Sequence, residues 1–86
     1  MNEEGLRKVY KMLDELSEDI SVPRNIRRGA REAKQILMKE GESLDVKVAS
    51  AISLLDELAN DPNIPIHGRT SIWNIMSALE SLTAEK

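Results

Sequence analysis

The sequence predicts an all-α protein, an antiparallel four-helix bundle built from two similar helical hairpins related by a pseudo-twofold. Three observations carry that prediction. Apolar residues recur at steps of three and four along the chain, and no stretch alternates apolar with polar residues as a strand would. The prolines, Pro23, Pro62 and Pro65, fall where those periodic stretches break. The stretch Leu13–Arg27, LDELSEDISVPRNIR, recurs 42 residues later as Leu55–Arg69, LDELANDPNIPIHGR. Leu13, Asp14, Glu15, Leu16, Asp19, Pro23 and Arg27 match identical residues in the second copy. A shared LDEL is common among helices, but a shared Asp, Pro and Arg at the same offset is not. The chain therefore reads as one helix–turn–helix unit written twice, over residues 6–40 and 48–82, within a single domain spanning residues 1–86.

Helix one follows from Leu6, Val9, Leu13, Leu16 and Ile20, with Tyr10 and Met12 beside that stripe. It is expected to start near Asn2 or Glu3, where Glu3 and Glu4 suit the positive end of the helix dipole, and to stop before Pro23. Ser21 is the expected N-cap of helix two, with Pro23 in its first turn, where no donor is needed. Ile26, Ala30, Ala33 and Leu37 form its inner stripe, and Gly41 is placed to end it in a left-handed conformation. Ser43 caps helix three, whose Leu44, Val48, Ala51, Ile52, Leu55, Leu58 and Ala59 make one broad apolar face. Asn60-Asp61-Pro62 ends it, and Asn63-Ile64-Pro65 repeats the opening of helix two. Ile72, Ile75, Met76, Leu79 and Leu82 form the last stripe. Short connections then favour antiparallel neighbours.

Composition narrows the function. With one Tyr, one Trp and no Phe, the core must be aliphatic. With no Cys, there is neither a disulfide framework nor a thiolate metal site or nucleophile, which fits a cytoplasmic protein. No apolar run approaches the ~20 residues of a membrane span. The net charge of −3 is unevenly spread: residues 1–20 hold six acidic and three basic groups, 21–41 two and six, 42–61 five and one. A basic helix thus lies in sequence between two acidic ones.

The candidate site residues are those whose type exceeds what packing needs. Arg24, Arg27, Arg28, Arg31 and Lys34 share one side of helix two, opposite its apolar stripe. Such a side is either solvated and intramolecularly paired, or grips phosphates or an acidic protein. The acidic balance and the lack of interleaved aromatics count against nucleic acid. Arg27 and Arg69 are expected to clamp their hairpins through Asp19 and Asp61, with Glu15 and Glu57 as competing partners. Trp73, at the flank of the last stripe, is expected to plug the core, with an exposed partner anchor as the alternative. His67 stands without the second ligand a metal needs, and reads as a turn-capping or exposed residue. No catalytic, cofactor or metal residues are expected. The function expected is a small non-enzymatic protein-interaction module working as a monomer or as a homodimer through Met12, Leu54 or Met38. The alternative is RNA binding through Arg24, Arg28 and Arg31. For a protein partner, Arg69 and Trp73 are the candidates.

The runs VPRNIRRGAREAK and LDELANDPNIPIHGRTSIWNIMSALE resemble a small archaeal family of uncharacterised proteins, known by a provisional family number. The specific part is Asp61, Pro62, Asn63, Pro65, His67, Arg69, Thr70, Ile72 and Trp73. The resemblance implies an archaeal cytoplasmic protein folded as four helices, and it brings no activity, cofactor or partner with it.

Overall fold

Burying four apolar stripes at once requires each helix to turn its stripe toward a common axis. The computed structural model describes residues 3–84, which form α1 (Glu3–Ser17), α2 (Arg24–Met38), α3 (Leu44–Ala59) and α4 (Ile66–Ala84), with no strand among them. The helices stand in a square. Each packs on its neighbours in sequence, α1 closes the ring against α4, and the backbones of the diagonal pairs stand farther apart. The contacts run antiparallel: Asp14 meets Lys34, Ser17 meets Arg31, Leu58 lies on Gly29 and Leu82 on Gly5. The core is aliphatic, and the inner residues read from the period are buried in it, including Val9, Leu13, Ile26, Ala33, Leu55, Ile72 and Leu79.

The two hairpin turns share a hydrogen-bond pattern at the 42-residue offset. Asp19 N–H donates to the Leu16 carbonyl at 3.2 Å, and Asp61 N–H to Leu58 at 3.1 Å. The Asp19 carboxylate then accepts Ser21 N–H at 2.9 Å, and Asp61 accepts Asn63 N–H at 2.7 Å. The next residue, Val22 or Ile64, is buried, and the following proline starts the next helix. The aspartate therefore organises each turn by bonding its own backbone two residues on, a local geometry this short side chain favours.

Several expectations need correction here. Of the two starts proposed for the first helix, Asn2 lies outside the described residues. Ile20 does not belong to the α1 stripe: the Asp19 turn ends the helix at Ser17, and Ile20 is 86% exposed. Ser21 does not cap α2, because its N–H and hydroxyl both go to Asp19; Pro23 occupies the cap position without a side-chain bond. Gly41 is left-handed at φ +92°, but it lies beyond the extended cap residue Lys39 and turns the loop rather than ending the helix. Ser43 caps α3 as expected, accepting Val46 N–H.

Candidate functional site

α2 and α4 hold the same place in their hairpins. Their inner faces are alike, and their outer faces are not. Arg24, Arg28, Arg31 and Gln35 follow one another at steps of four, three and four along the outside of α2, and all are exposed. The residues 42 positions on are Ile66, Thr70, Trp73 and Ser77, and they too are exposed. A basic face on one helix thus has an uncharged, partly apolar counterpart on the other. Because α2 and α4 stand at opposite corners of the square, these faces look away from each other. The five candidate residues are therefore not brought together: Arg24, Arg28 and Arg31 lie on one side, and Arg69 and Trp73 on the far side.

Trp73 is not a core plug. It is 55% exposed, on the α4 surface opposite the buried Ile72, Ile75 and Leu79. Ile66, on the same outer face as Trp73, is 81% exposed. Between Ile66 and Leu79 the helix carries Arg69 as its one Lys, Arg, Asp or Glu residue, in a chain that is 31% charged.

The Asp–Arg clamps do not form either. Arg69 Nε donates to the Ala59 carbonyl at 3.1 Å, closing the C-terminus of α3. The matching acceptor on α1, the Ser17 carbonyl, is taken at 3.2 Å by Arg31 instead. Arg27 is left with a buried Nε that has no partner among the described residues. Trp73 stands where Arg31 does and cannot reach a carbonyl in this way, so in the second hairpin the cap falls to Arg69. Lys34, half-buried, pairs with Asp14 at 2.9 Å and lies 5.7 Å from the Tyr10 ring centroid, so acidic α1 neutralises this edge of the basic face as expected. Burial raises the Tyr10 hydroxyl pKa, and nearby Lys34 opposes that shift.

Asp19 and Asp61 reach instead across the repeat. Asn25 donates its side-chain amide to Asp61 at 2.6 Å. The residue matching Asn25 is His67, whose Nε2 lies 3.3 Å from Asp19 Oδ2 and 2.7 Å from Ser21 Oγ. Both carboxyl pKa values are lowered. At Asp19 the main cause is the Ser21 hydroxyl, then Ser21 N–H, with His67 contributing less; at Asp61 it is Asn63 N–H, then Asn25. The sequence offered Ser21 only as a helix cap, since its partner His67 lies 46 residues away. The trio does not have the order of a nucleophilic triad. Ser21 donates its hydroxyl to Asp19, and the same ring nitrogen of His67, Nε2, faces both partners. A general base needs one nitrogen accepting from the nucleophile and the other held by the carboxylate.

A cleft of about 350 Å³ opens between α1 and α4, with Met12, Leu16 and Ile75 as its floor and Glu15, Asp19, Ser71 and Asn74 around it. The matching seam between α2 and α3 is closed because Gly29, in the place of Ser71, admits the Leu58 side chain. Met38, one of the residues offered for a homodimer, is exposed, whereas Met12 and Leu54 pack partly against the core.

Fold and surface together define a small single-layer helical bundle whose two hairpins share a frame and differ outside. The chain belongs to the Uncharacterised protein family (UPF0147), whose model matches residues 1–82. A member from Methanocaldococcus jannaschii is 55% identical over 78 residues, covering 91% of this chain and 84% of its own. One from Thermoplasma acidophilum is 53% identical over 75 residues, covering 87% and 85%. The crystal structure of a family member from Thermoplasma acidophilum is similar at a TM-score of 0.92, with 49% identity over 95% of this chain and 96% of that one. That of a protein of unknown function follows at 0.90, with 47% identity and 94% and 92% covered. The family is uncharacterised, with archaeal members, and its solved structures bear out the fold. No described helix is long and apolar enough to cross a membrane.

Proposed function

We propose that the chain is a non-enzymatic, cytoplasmic protein-interaction module that docks a partner protein through the outer face of α4. The observation that carries this reading is the exposed Trp73, the single Trp of the chain, on a helix face without charge between Ile66 and Ser77. Aromatic anchors flanked by uncharged residues are what the centre of an interface selects, and charge is depleted there. Nothing in the packing of α4 requires a Trp at this position, since the inner face is complete without it. The partner is a different protein bearing an apolar groove. A second copy would pack such a stripe too, ridges into grooves, and is the competing occupant that sedimentation tests.

Affinity capture from native cytosol with the wild-type chain and with Trp73→Ala and Ile66→Ser tests this. The expected result is a stoichiometric protein retained by the wild type and lost with either substitution, while both variants stay folded. Equal capture by all three removes α4 from the interface. Sedimentation at two concentrations then tells a second copy from a different protein.

A further inference from the structure

The geometry points to a second docking face, on α2, for an acidic segment of a partner protein. Arg24 and Arg28 are exposed and make no hydrogen bond or ion pair with any described residue, and Arg31 commits one nitrogen to Ser17. Arg24 also stands in the wrong place for the stability of the helix. The N-terminus of a helix carries partial positive charge and is stabilised by acids. α1 answers with Glu3 and Glu4 and α3 with Asp45, whereas α2 and α4 have no acid in the first turn, and α2 alone begins with an arginine, Arg24. The Pro23 cap supplies no side-chain bond. Arg24 thus opposes the dipole, and neither it nor Arg28 has an ion-pair partner among the described residues. A local rule broken without a compensating contact marks a surface kept for something outside the fold.

The chemistry that relieves it is carboxylate. Arg24 to Arg31 spans about 10 Å along the helix axis, the reach of three acidic side chains on one face of a facing helix. A nucleic acid offers anions too, but its charge continues in both directions. α2 is flanked by α1 and α3, and residues 1–20 and 42–61 hold six acids to three bases and five to one. A long polyanion overruns the basic strip onto these acidic neighbours, whereas an acidic helix one strip wide does not. Trp73, the one exposed Trp, Tyr or Phe ring among the described residues, is on the far side and cannot stack bases laid along α2.

Three probes decide the matter: a helical peptide with Glu at positions i, i+4 and i+7, its Gln counterpart, and a single-stranded oligouridylate, each titrated into the labelled protein with backbone amide shifts as readout. The Glu peptide is expected to shift the amides of 24–35, to weaken as salt is raised, and to bind at least about tenfold more tightly than the Gln peptide. Arg24→Gln with Arg28→Gln removes that binding, and Trp73→Ala leaves it unchanged, so failure here is separable from failure of the α4 reading. Arg24→Glu with Arg28→Glu abolishes binding while raising Tm by about 2–4 °C, since acids now face the dipole. Oligouridylate binding more tightly than the Glu peptide, equal binding of the two peptides, no binding at low salt, or a fall in Tm for the Glu variant would each overturn the proposal.

Discussion

α2 and α4 are the same helix twice on the inside and two different helices on the outside. Ile26, Ala30 and Ala33 are buried in one, and Gly68, Ile72 and Ile75 at the matching positions in the other. The outer positions pair Arg24 with Ile66, Arg28 with Thr70 and Arg31 with Trp73. Inward positions answer to volume and must agree with two neighbouring helices, so they vary mainly in size. Outward positions answer to whatever the solvent side meets. The difference also travels inward by one step. With Trp73 in the place of Arg31, the carbonyl cap at the end of the preceding helix passes to Arg69, while Arg27 loses that role.

The largest test of this comparison concerns the seams between the hairpins. A Cβ on Gly29 would lie 2.4 Å from Leu58 Cδ1 and 3.0 Å from its Cγ, so the α2–α3 seam has no room for one. Ser71 holds the matching place beside the α1–α4 cleft. Gly29→Val is expected to destabilise by about 1–3 kcal/mol through overpacking, and Ser71→Val by less than about 1 kcal/mol. Denaturant unfolding of the two variants measures the difference. Equal losses would mean that glycine does not set how closely α2 approaches α3.

The arginines give the next effect. Arg69→Met keeps the aliphatic stem and removes the bond to Ala59, with an expected loss of about 1 kcal/mol. Arg27→Met removes a buried donor that has no partner, so it costs nothing or stabilises slightly. If both variants lose the same amount, the two arginines are structurally equivalent after all and the exchange of caps is wrong.

What the sequence made legible follows from how far its signals reach. A period of three and four residues is local, and it placed all four inner stripes. Turn chemistry is local too, yet Ile20 obeyed the helical period and was still misplaced, because the Asp19 turn ends α1 first. The partners of Asp19 and Asp61 were missed for a different reason. Arg27 and Arg69 are near in the chain, but the bonds that form, Asn25 to Asp61 and His67 to Asp19, join one hairpin to the other. They depend on docking, which no spacing within a hairpin encodes. The 42-residue offset was the available clue, since it makes Asn25 and His67 equivalent. Trp73 was misread because size suggested core, whereas its angle on the helix lies away from Ile72, Ile75 and Leu79.

That misreading has a direct check of smaller magnitude. Trp73→Ala is expected to lower stability by no more than about 1 kcal/mol, against ~3–5 kcal/mol for a buried ring. A thermal melt of the variant suffices. A loss at the upper figure would return Trp73 to the core and remove the main support for docking through α4.

The smallest effect compares the two cross-repeat bonds themselves. Asp19 and Asp61 both have folded-state pKa values below the ordinary aspartate value, because each carboxylate accepts hydrogen bonds that only its charged form accepts well. Lowered folded values mean that the unfolded chain binds protons first as the medium is acidified. The stabilisation is therefore complete above the unfolded value of about 4, and it is lost as pH falls through the lower folded values. Asp19→Asn and Asp61→Asn should each lower stability at neutral pH and flatten its decline below about pH 4. The two variants should differ with salt. The amide of Asn25 is uncharged, so Asp61→Asn removes a bond that salt screens little. A charged His67 imidazole, 3.3 Å from Asp19, makes that bond an ion pair, which added salt weakens. Thermal melts of the wild type and both variants, taken from neutral pH down to about 3 at low and high salt, read all of this. Parallel pH profiles for wild type and variants would show that these aspartates do not hold the hairpins together. Identical salt responses would show that the His67 side of the pair is no different from the Asn25 side.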